Sequence, residues 1–373
     1  MKKLVIFLQD FSAMGGVEMV TLRLINVLIC NFDISILSLS QKNASEYLPY
    51  PKQVRKILIP FSDEKSFKLQ LSELQRQEQF DICINQVQNL NISAVLATEL
   101  NKHCVKIISI LHNSPFLYKY GVKDVRNPIV YFLKRIKRIT FGWFYNRRYL
   151  RNILDKSNKF VCISENCINE FKLLGFDMKK TILLYNLIDS SFVDERINSD
   201  KENIILFAGR FSPEKNLLEL LEVWKRLEED HGNWSLQLIG EGIDYNLLVS
   251  YIHLYNLKDV KIIPKVSDIR SYISKSKIAV LNSFTEGLPT FLIESAIFKN
   301  VLLGRDSFGG TRDVILDGFN GFLFGNKSQL EQKLRILMTD PILLETMKDK
   351  SHYVEKFYDD IILEQWKKLL KEI

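Results

Sequence analysis

The feature that most constrains the fold is a repeated alternation of short apolar runs with segments of helix length. In the first half, the apolar runs lie at 4–8, 34–39, 82–84, 105–111 and 159–163. Several consist mainly of valine, isoleucine and leucine, which is typical of strands buried on both faces of a parallel sheet. Amphipathic stretches at 17–30 and 93–101 lie between them. The pattern predicts a doubly wound α/β domain.

The alternation stops at a polar stretch, 186–203, and then begins again. Predicted strands at 204–208, 235–239, 260–263, 278–281 and 301–303 alternate with predicted helices at 216–229, 245–255, 267–274 and 290–298. A chain of 373 residues suits two domains of ordinary size. We therefore predict an N-terminal domain at 1–186, a linker at 187–202 and a C-terminal domain at 203–354. A ligand site is expected between them.

Composition excludes several classes of protein. Apolar residues make up 46% and charged residues 25% of the chain, as in ordinary globular proteins. The apolar run 4–8 is too short for a signal peptide, and no stretch approaches the roughly 18 apolar residues that span a bilayer. The five cysteines (Cys30, Cys83, Cys104, Cys162 and Cys167) are scattered, which indicates thiols in a reducing compartment. We expect a cytoplasmic or peripheral protein.

Two loops that follow predicted strands combine glycine with charged side chains. Strand 204–208 runs into Gly209, Arg210 and then Lys215. A glycine there opens the backbone to a ligand, and the two cations suit a diphosphate, although such a pair on its own is often solvated surface. Strand 278–281 runs into Glu286, a Gly-Leu-Pro turn, and a helix that carries Glu294. Amides at the start of that helix would face an anion, and the two acids would accept hydrogen bonds from sugar hydroxyls.

These motifs together resemble the signature of the retaining GT-B glycosyltransferases, group 1 or family 4, whose bacterial members build capsule, O-antigen and lipopolysaccharide. The resemblance rests on Gly209-Arg210 with Lys215, on Leu238-Ile239-Gly240-Glu241-Gly242, and on Thr285-Glu286-Gly287-Leu288-Pro289 with Glu294. The first half adds Gly15-Gly16-Val17-Glu18, His112-Asn113, Ser164-Glu165 and Tyr185-Asn186 followed by Asp189. The resemblance covers about residues 1–330 and is strongest from 204 to 325.

The resemblance implies an α/β GT-B fold, with two Rossmann-like doubly wound domains facing across a cleft. The N-terminal domain would bind the acceptor and the C-terminal domain the nucleotide-sugar. A helix at about 355–373 would pack back on the N-terminal domain. The implied reaction moves a sugar from a nucleotide-sugar, by default a UDP-sugar, to a lipid-linked oligosaccharide, lipopolysaccharide or capsule glycan, with retention of configuration.

The same resemblance assigns roles to single residues. The implied catalytic residues are Glu286, His112, Arg210 and Lys215. The implied donor-binding residues are Gly15, Gly16, Arg210, Lys215, Gly240, Lys265, Val266, Glu286, Gly287, Leu288, Pro289, Thr290 and Glu294. Arg210 and Lys215 would hold the diphosphate, Glu286 the donor sugar, Glu294 the ribose, and Lys265 with Val266 the base. His112 would lie near the transferred sugar, or else serve as a core or capping histidine.

The chain departs from the family pattern at two places. Lys265 stands where many relatives have glycine, which affects the fit of the base. Arg312 and Asp313 stand where relatives usually have proline and glutamate, next to Gly309 and Gly310, which should preserve the turn beneath the sugar site. The chain has no Asp-x-Asp motif and no His/Cys cluster with ligand spacing, so we expect no metal and no cofactor. Helix amides and cations would carry the leaving-group charge.

Ten lysines and arginines with one acid fall between 117 and 151, so this segment is +9 within a chain of net charge +7. Apolar residues recur there at helical spacing, and the basic residues that we assign to a membrane or acceptor patch are Lys134, Arg135, Lys137, Arg138, Arg147 and Arg148. Cations and aromatics on one helix suit an anionic membrane surface on the inner face of the cytoplasmic membrane. A domain helix with solvated cations is the alternative. Nucleic acid is not expected, because no recognition motif accompanies the patch.

Two other functions remain open from the sequence. A GT-B-shaped epimerase or phosphorylase would need acid–base carboxylates or a pyridoxal lysine pocket. A non-catalytic glycan-binding scaffold would not need Arg210, Lys215, Glu286 and Glu294 together. The sequence does not indicate the oligomeric state.

Overall fold

The computed structural model describes residues 1–13, 15–41, 48–116, 128–188, 200–227 and 232–373. Of 128–140, 351, 352 and 359 it describes the backbone alone. The side chains of Lys134, Arg135, Lys137 and Arg138 and the whole of Asp189 therefore lie outside the described residues. The described residues divide into two compact units: one holds the chain up to Phe116 together with Phe132–Leu187 and Asp359–Ile373, and the other holds 128–131 and Ile188–Tyr358.

The first unit is built on a seven-stranded parallel sheet. Its strands are β1 (Lys2–Asp10), β2 (Phe32–Ser40), β3 (Arg55–Leu58), β4 (Ile82–Val87), β5 (Lys106–Leu111), β6 (Lys159–Cys162) and β7 (Thr181–Leu183). Its helices are α1 (Gly16–Leu28), α2 (Glu64–Glu78), α3 (Leu90–Lys102), α4 (Pro128–Lys156) and α5 (Glu165–Leu173). The strand order is β3-β2-β1-β4-β5-β6-β7. All six residues of β4 are buried, as expected for a central parallel strand.

The second unit is built on a six-stranded parallel sheet. Its strands are β8 (Glu202–Ala208), β9 (Ser235–Ile239), β10 (Val260–Ile263), β11 (Ser276–Leu281), β12 (Val301–Arg305) and β13 (Gly321–Phe324). Its helices are α6 (Leu217–Arg226), α7 (Tyr245–Leu254), α8 (Arg270–Lys275), α9 (Thr290–Ile297), α10 (Thr311–Val314), α11 (Lys327–Thr339) and α12 (Pro341–Lys348). Two 3₁₀ turns lie at Pro213–Lys215 and Ser351–Phe357.

Both units are Rossmann-like, as the alternation of strands and helices predicts. In the second sheet the order is β10-β9-β8-β11-β12-β13, so the winding direction reverses between β8 and β11. In open α/β sheets, ligands bind at the carboxyl ends of the two strands that flank this reversal. The loops after β8 and β11 are the ones that carry Arg210, Lys215 and Glu286.

The last helix, α13 (Asp359–Glu372), belongs to the first unit. Its Trp366 is buried and, with Val20 and Leu24 of α1, lines a small cavity there. The chain thus returns to the first unit after forming the second, and the helix begins at Asp359, four residues later than expected from sequence. The boundary between the units falls at Leu187, where the sequence predicts the start of a linker.

Candidate functional site

The central contact of the second unit joins the two loops at the sheet reversal. Lys215 Nζ lies 2.5 Å from Glu286 Oε1, and the two side chains are 19% and 13% exposed. The Coulomb attraction between a lysine and a carboxylate is screened less when the pair is largely removed from water than when it is at the surface. The residues expected to grip the diphosphate and the donor sugar therefore touch each other in the same unit.

Main-chain and amide hydrogen bonds hold these two loops together. The N–H of Phe284 donates to the carbonyl of Glu214 at 2.8 Å, and Asn282 Nδ2 donates to the carbonyl of Asn216 at 2.8 Å. Asn216 adopts a left-handed conformation, with φ 51°, between the 3₁₀ turn and α6. The Lys215–Glu286 pair thus lies on a braced backbone, which is the condition for preorganised electrostatic stabilisation.

A third loop supports Arg210. The N–H of Phe211 donates to the carbonyl of Glu241 at 2.8 Å, and the N–H of Gly209 donates to that of Ile239 at 3.0 Å. Gly240 has φ 149°, and a Cβ at this position would collide with the carbonyl of Gly209. The glycine is therefore required by the close approach of two backbones. Arg210 itself is exposed at the end of this braced segment.

A glycine turn lies against the backbone of Glu286. The N–H of Glu286 donates to the carbonyl of Phe308 at 3.0 Å, and the N–H of Gly310 donates to the carbonyl of Gly287 at 2.7 Å. Gly309 has φ 90°, and a Cβ there would collide with the carbonyl of Glu286. The turn expected at these glycines is thus present despite the nearby departure from the family pattern.

Arg312 is bound within its own loop. Its Nη2 donates to Oδ2 of Asp306 at 2.6 Å, and its side chain is 59% exposed. Hydrogen bonding to Asp306 raises the pKa of Arg312 above its already high ordinary value. Asp313 is buried in the short helix α10.

Arg305 is a site residue that the sequence did not single out. It ends β12, is 7% exposed, and donates from Nε to Asn282 Oδ1 at 2.9 Å and from Nη1 to the carbonyl of Gly325 at 3.1 Å. Its Nη2 also pairs with Glu219, and its guanidinium lies 5.0 Å from the ring centroid of Phe284. One buried cation therefore braces both loops of the Lys215–Glu286 contact. The available sequence signal was an arginine that directly ends a buried apolar strand.

Other residues of the second unit that are expected to bind the donor lie after β11, at the start of α9. Helix α9 begins at Thr290, so Pro289 occupies the N-cap position. Leu288 is buried, and Glu294 lies half-buried within the helix. The N–H of Leu292 donates to the carbonyl of Pro289 at 3.0 Å. The N–H groups of Thr290 and Phe291, which precede it at the helix start, belong to the class of backbone donors that bind anions.

The two residues expected to contact the base have different surroundings. Val266 packs against the apolar cluster that contains Ile204, Leu206 and Phe298. Lys265 Nζ lies 3.5 Å from Glu241 Oε1, with both side chains more than a third exposed. Val266 is thus part of the core packing, and Lys265 is a surface cation beside the Gly240 loop.

In the first unit, Gly15 is the N-cap of α1 and Gly16 its first residue. A Cβ at Gly15 would collide with Oε2 of Glu18, a buried side chain that also accepts from Gln88 Nε2 at 2.7 Å. A carboxylate near a helix N-terminus is stabilised by the helix dipole. The α1 terminus, expected to approach the donor phosphates, therefore already has an anionic group of the chain beside it.

His112 follows β5 directly and is 7% exposed. Its Nε2 contacts Oε1 of Gln86, which lies in the neighbouring strand β4. Burial lowers the pKa of His112 from 6.5 to about 4, so the imidazole is neutral at physiological pH. This histidine combines a position at the carboxyl end of a strand with a buried polar contact.

A pocket of about 330 Å³ lies in the first unit beside the carboxyl ends of β4 and β5. Gln88, Asn113 and Ser114 contribute polar groups, and Tyr145 and Asn146 of α4 form the facing wall. Its volume is within the usual range for small-molecule sites, which combine apolar walls with a few polar groups.

The part of α4 whose side chains are described combines exposed aromatic and basic residues. Phe141, Phe144 and Tyr145 are 68%, 67% and 50% exposed, and Arg148 is exposed. Arg147, assigned from sequence to the same patch, is engaged within the unit. Its Nη1 donates to the carbonyl of Leu174, and its guanidinium lies 5.3 Å and 5.4 Å from the rings of Trp143 and Phe176.

The described residues contain no group of three or more histidine, cysteine, aspartate or glutamate side chains arranged to hold a metal ion. None of the helices within the described ranges is long and apolar enough to cross a bilayer.

Two family models match the chain: Glycosyltransferase Family 4 at residues 14–192 and Glycosyl transferases group 1 at 190–354. A glycosyltransferase of Haemophilus influenzae is 25% identical, with 99% of this chain and 100% of the relative covered. A Campylobacter jejuni protein is 30% identical over half of each chain. It is named an α-1,4-N-acetyl-D-galactosaminyltransferase that acts on an undecaprenol-diphosphate-linked glycan.

Solved structures show the same fold. The Anabaena protein HepE, crystallised with UDP-glucose, superposes with a TM-score of 0.77 and 16% identity, and each chain is covered completely. At this identity the likeness establishes the fold, which is the GT-B arrangement of two Rossmann-like domains. With family models matched from residue 14 to residue 354, the chain belongs to the group 1 glycosyltransferases.

Proposed function

We propose that this glycosyltransferase moves a sugar from a UDP-sugar to a lipid-linked or polysaccharide acceptor, with retention of configuration and without a metal ion. The observation that carries the donor half of the proposal is the 2.5 Å contact between Lys215 and Glu286 at the sheet reversal. One loop there supplies a cation for the diphosphate, and the other supplies a carboxylate for sugar hydroxyls.

The leaving nucleotide would be stabilised by Arg210, Lys215 and the first-turn amides of α9. These groups would place positive charge where the bond to the diphosphate breaks, which is the role that preorganised donors and cations have in phosphate clamps. Glu286 would orient the donor sugar and Glu294 the ribose. Same-face attack by the acceptor hydroxyl requires no nucleophile from the protein, so the proposed retention needs no further carboxylate.

The donor is tested by thermal unfolding in the presence of UDP-, GDP-, dTDP- and CMP-sugars. A ligand at 100 times its dissociation constant stabilises the folded state by about 2.7 kcal/mol. We expect UDP-sugars alone to raise the melting temperature, and Lys215→Met to abolish the shift. Lys258→Met, at an exposed position of the same unit, is the matched control and should keep it. An equal shift with a GDP-sugar would contradict the choice of nucleotide.

We further propose the pocket beside β4 and β5 as the acceptor site. Support comes from its volume, its polar groups at the carboxyl ends of strands, and the acceptor named for the Campylobacter relative. Asn146→Trp would fill the pocket and should raise the KM for a polyprenyl-diphosphate-linked glycan while leaving the donor-induced thermal shift unchanged. Loss of both would indicate a general folding defect.

The exposed face of α4 is proposed to dock on an anionic membrane surface at the cytoplasmic side. Phe141 and Phe144 would insert into the interface, and Arg148 would contact lipid phosphates. We expect Phe141→Ser with Phe144→Ser to release the protein from vesicles that contain anionic lipid. Ile342→Ser, which removes an isoleucine 79% exposed in the second unit, is the control and should leave sedimentation unchanged.

The stereochemistry of the product and the effect of a chelator on turnover test the two remaining parts of the proposal. Transfer with retention predicts that the anomeric configuration of the new bond equals that of the donor, as read by NMR of the product. Full turnover in excess chelator is expected. An inverted product, or activity that returns only on addition of a divalent cation, would contradict these parts of the proposal.

A further inference from the structure

Strand β4 contains two polar residues at the end of an otherwise apolar buried run. One of them, Gln86, has no exposed surface and contacts two side chains. Its Nε2 donates to Thr21 Oγ1 of α1 at 3.0 Å, and its Oε1 contacts Nε2 of His112. Thr21 Oγ1 in turn donates to the carbonyl of Val17 at 2.8 Å. The four groups form one continuous chain of hydrogen bonds from α1 to the end of β5.

The direction of every bond in this chain follows from counting protons. A backbone carbonyl has no hydrogen, so the single hydroxyl hydrogen of Thr21 is committed to Val17. Thr21 Oγ1 can then only accept from Gln86, which places the amide NH₂ toward α1. The carbonyl oxygen of Gln86 must face His112, and since this oxygen can only accept, the hydrogen has to be on Nε2 of the imidazole.

The surroundings of His112 favour an uncharged ring. The adjoining cavity of about 10 Å³ is lined mainly by apolar side chains, among them Val20, Leu24, Ile110 and Trp366, and also by Tyr185 and Asn186. A cavity of this size holds about one water molecule at most. Burial lowers the pKa of His112 to about 4. The ring therefore carries one hydrogen, and the neighbouring amide decides on which nitrogen it is found.

We propose that Gln86 and Thr21 are positioning residues that fix His112 as its neutral Nε2–H tautomer, so that Nδ1 is the only nitrogen with which the ring can accept a hydrogen bond. The consequence for the reaction rests on the proposed function: beside the transferred sugar, the imidazole of His112 accepts a hydrogen bond from a hydroxyl group and does not act as a general acid. The assignment of the tautomer itself requires no substrate.

The tautomer is read directly by ¹⁵N NMR of the full chain labelled at histidine, of which there are five. The signal of His112 is identified by its loss in His112→Gln. At pH 7 we expect a protonated Nε2 and an unprotonated Nδ1. A spectrum with the hydrogen on Nδ1, or with both nitrogens protonated, would overturn the proposal before Thr21 or Gln86 is substituted.

Two substitutions at Thr21 provide a matched pair. Thr21→Ser keeps the hydroxyl and should leave the spectrum of His112 unchanged. Thr21→Val has nearly the same shape but no acceptor for the Gln86 amide, so the amide is no longer held in one orientation. We expect the Nδ1–H tautomer to appear and kcat to fall about tenfold, the equivalent of one net hydrogen bond. An unchanged tautomer in Thr21→Val would show that Gln86 does not fix the ring.

Gln86→Glu distinguishes this inference from the proposed function. A carboxylate keeps an acceptor facing Nε2, so the Nε2–H tautomer should persist while the opposite charge raises the pKa of His112. If the spectra are as expected but no variant of His112 changes turnover, the tautomer assignment is correct and the proposed place of His112 in the reaction is wrong. If turnover depends on His112 but the hydrogen is on the other nitrogen, the tautomer assignment is wrong.

Discussion

Asn282 donates from Nδ2 to the carbonyl oxygen of Asn216 at 2.8 Å, and its Oδ1 accepts from Arg305 Nε at 2.9 Å. One amide side chain at the end of β11 therefore links the loop after β8 to the end of β12. Three neighbouring strands of the second sheet are joined at their carboxyl ends by this residue. We expect this frame to hold the contact between Lys215 and Glu286 in place, because charged groups stabilise a transition state most when their geometry is fixed beforehand.

Removing either partner of the central pair should impair catalysis without unfolding the protein. We expect Lys215→Ala and Glu286→Ala each to lower turnover by at least about 100-fold, the effect typical of a lost electrostatic contact in an active site. Steady-state rates with saturating UDP-sugar measure it. Lys327→Ala is the matched control, because Lys327 Nζ lies 2.5 Å from Glu222 Oε2 in the same unit but away from these loops. Its turnover should stay within about twofold of wild type, and full activity in either site variant would refute the assignment.

Arg305 should affect both stability and rate. Arg305→Met leaves the carboxylate of Glu219 without its guanidinium and Asn282 without its donor, so we expect a loss of about 2–4 kcal/mol in the free energy of unfolding. Turnover should fall as well, because the loop frame loosens. Arg305→Lys keeps the charge but not the planar fork, and an intermediate effect is expected.

Arg312→Met provides the comparison for Arg305. Arg312 is also paired with an aspartate, but its side chain is 59% exposed, and exposed pairs contribute about 0–1 kcal/mol. Denaturant unfolding of the three variants ranks the effects. If Arg305→Met were no less stable than Arg312→Met, the bracing role of Arg305 would be wrong.

The parts of the fold that sequence predicted best are the central strands, because an apolar run buried on both faces has an unambiguous pattern. The prediction was weaker at the sheet edges. Strands β3, β7 and β13 were missed, since they are only three or four residues long and none of them is a fully buried apolar run. Strand β4 was predicted three residues too short, because Asn85 and Gln86 appear polar although both are buried and hydrogen-bonded.

The site was predictable where function requires a residue type at a fixed spacing, and not where packing decides. The loops with Arg210, Lys215 and Glu286 were found in this way. Arg305 was missed because sequence alone does not indicate that an arginine at the end of β12 is turned inward toward Asn282. Arg147 was placed in the exposed patch because the contact with Leu174 arises from tertiary packing of α4 on α5.

Gly309 should not tolerate a side chain. Its φ of 90° is unfavourable for other residues, and a Cβ would collide with the carbonyl of Glu286. Gly309→Ala should therefore destabilise the turn, displace Glu286 and lower turnover by more than about tenfold. Gly318→Ala separates the two causes, since Gly318 has φ 75° with nothing near its missing Cβ. It should lose about 1 kcal/mol through backbone strain alone, with normal turnover. Equal turnover in both variants would show that the Gly309 turn does not support Glu286.

His112 should make the first unit less stable in acid. Its pKa lies at about 4 in the folded state and at its ordinary 6.5 in the unfolded chain, so between these values the unfolded state binds more protons. Stability therefore falls as the pH decreases from 6.5 to 4, by about 3 kcal/mol from this group. The free energy of unfolding, measured across this range, should fall less steeply in His112→Gln than in wild type.

The control for this pH dependence is His253→Gln, which replaces an exposed histidine of α7. A surface substitution of this kind is expected to change the free energy of unfolding by no more than about 0.5 kcal/mol. If His112→Gln and wild type lost stability in parallel between pH 6.5 and 4, the imidazole could not be a buried neutral group. The acceptor role of Nδ1 would then fail with it, because a ring that protonates in the folded state near neutral pH would carry a hydrogen on both nitrogens.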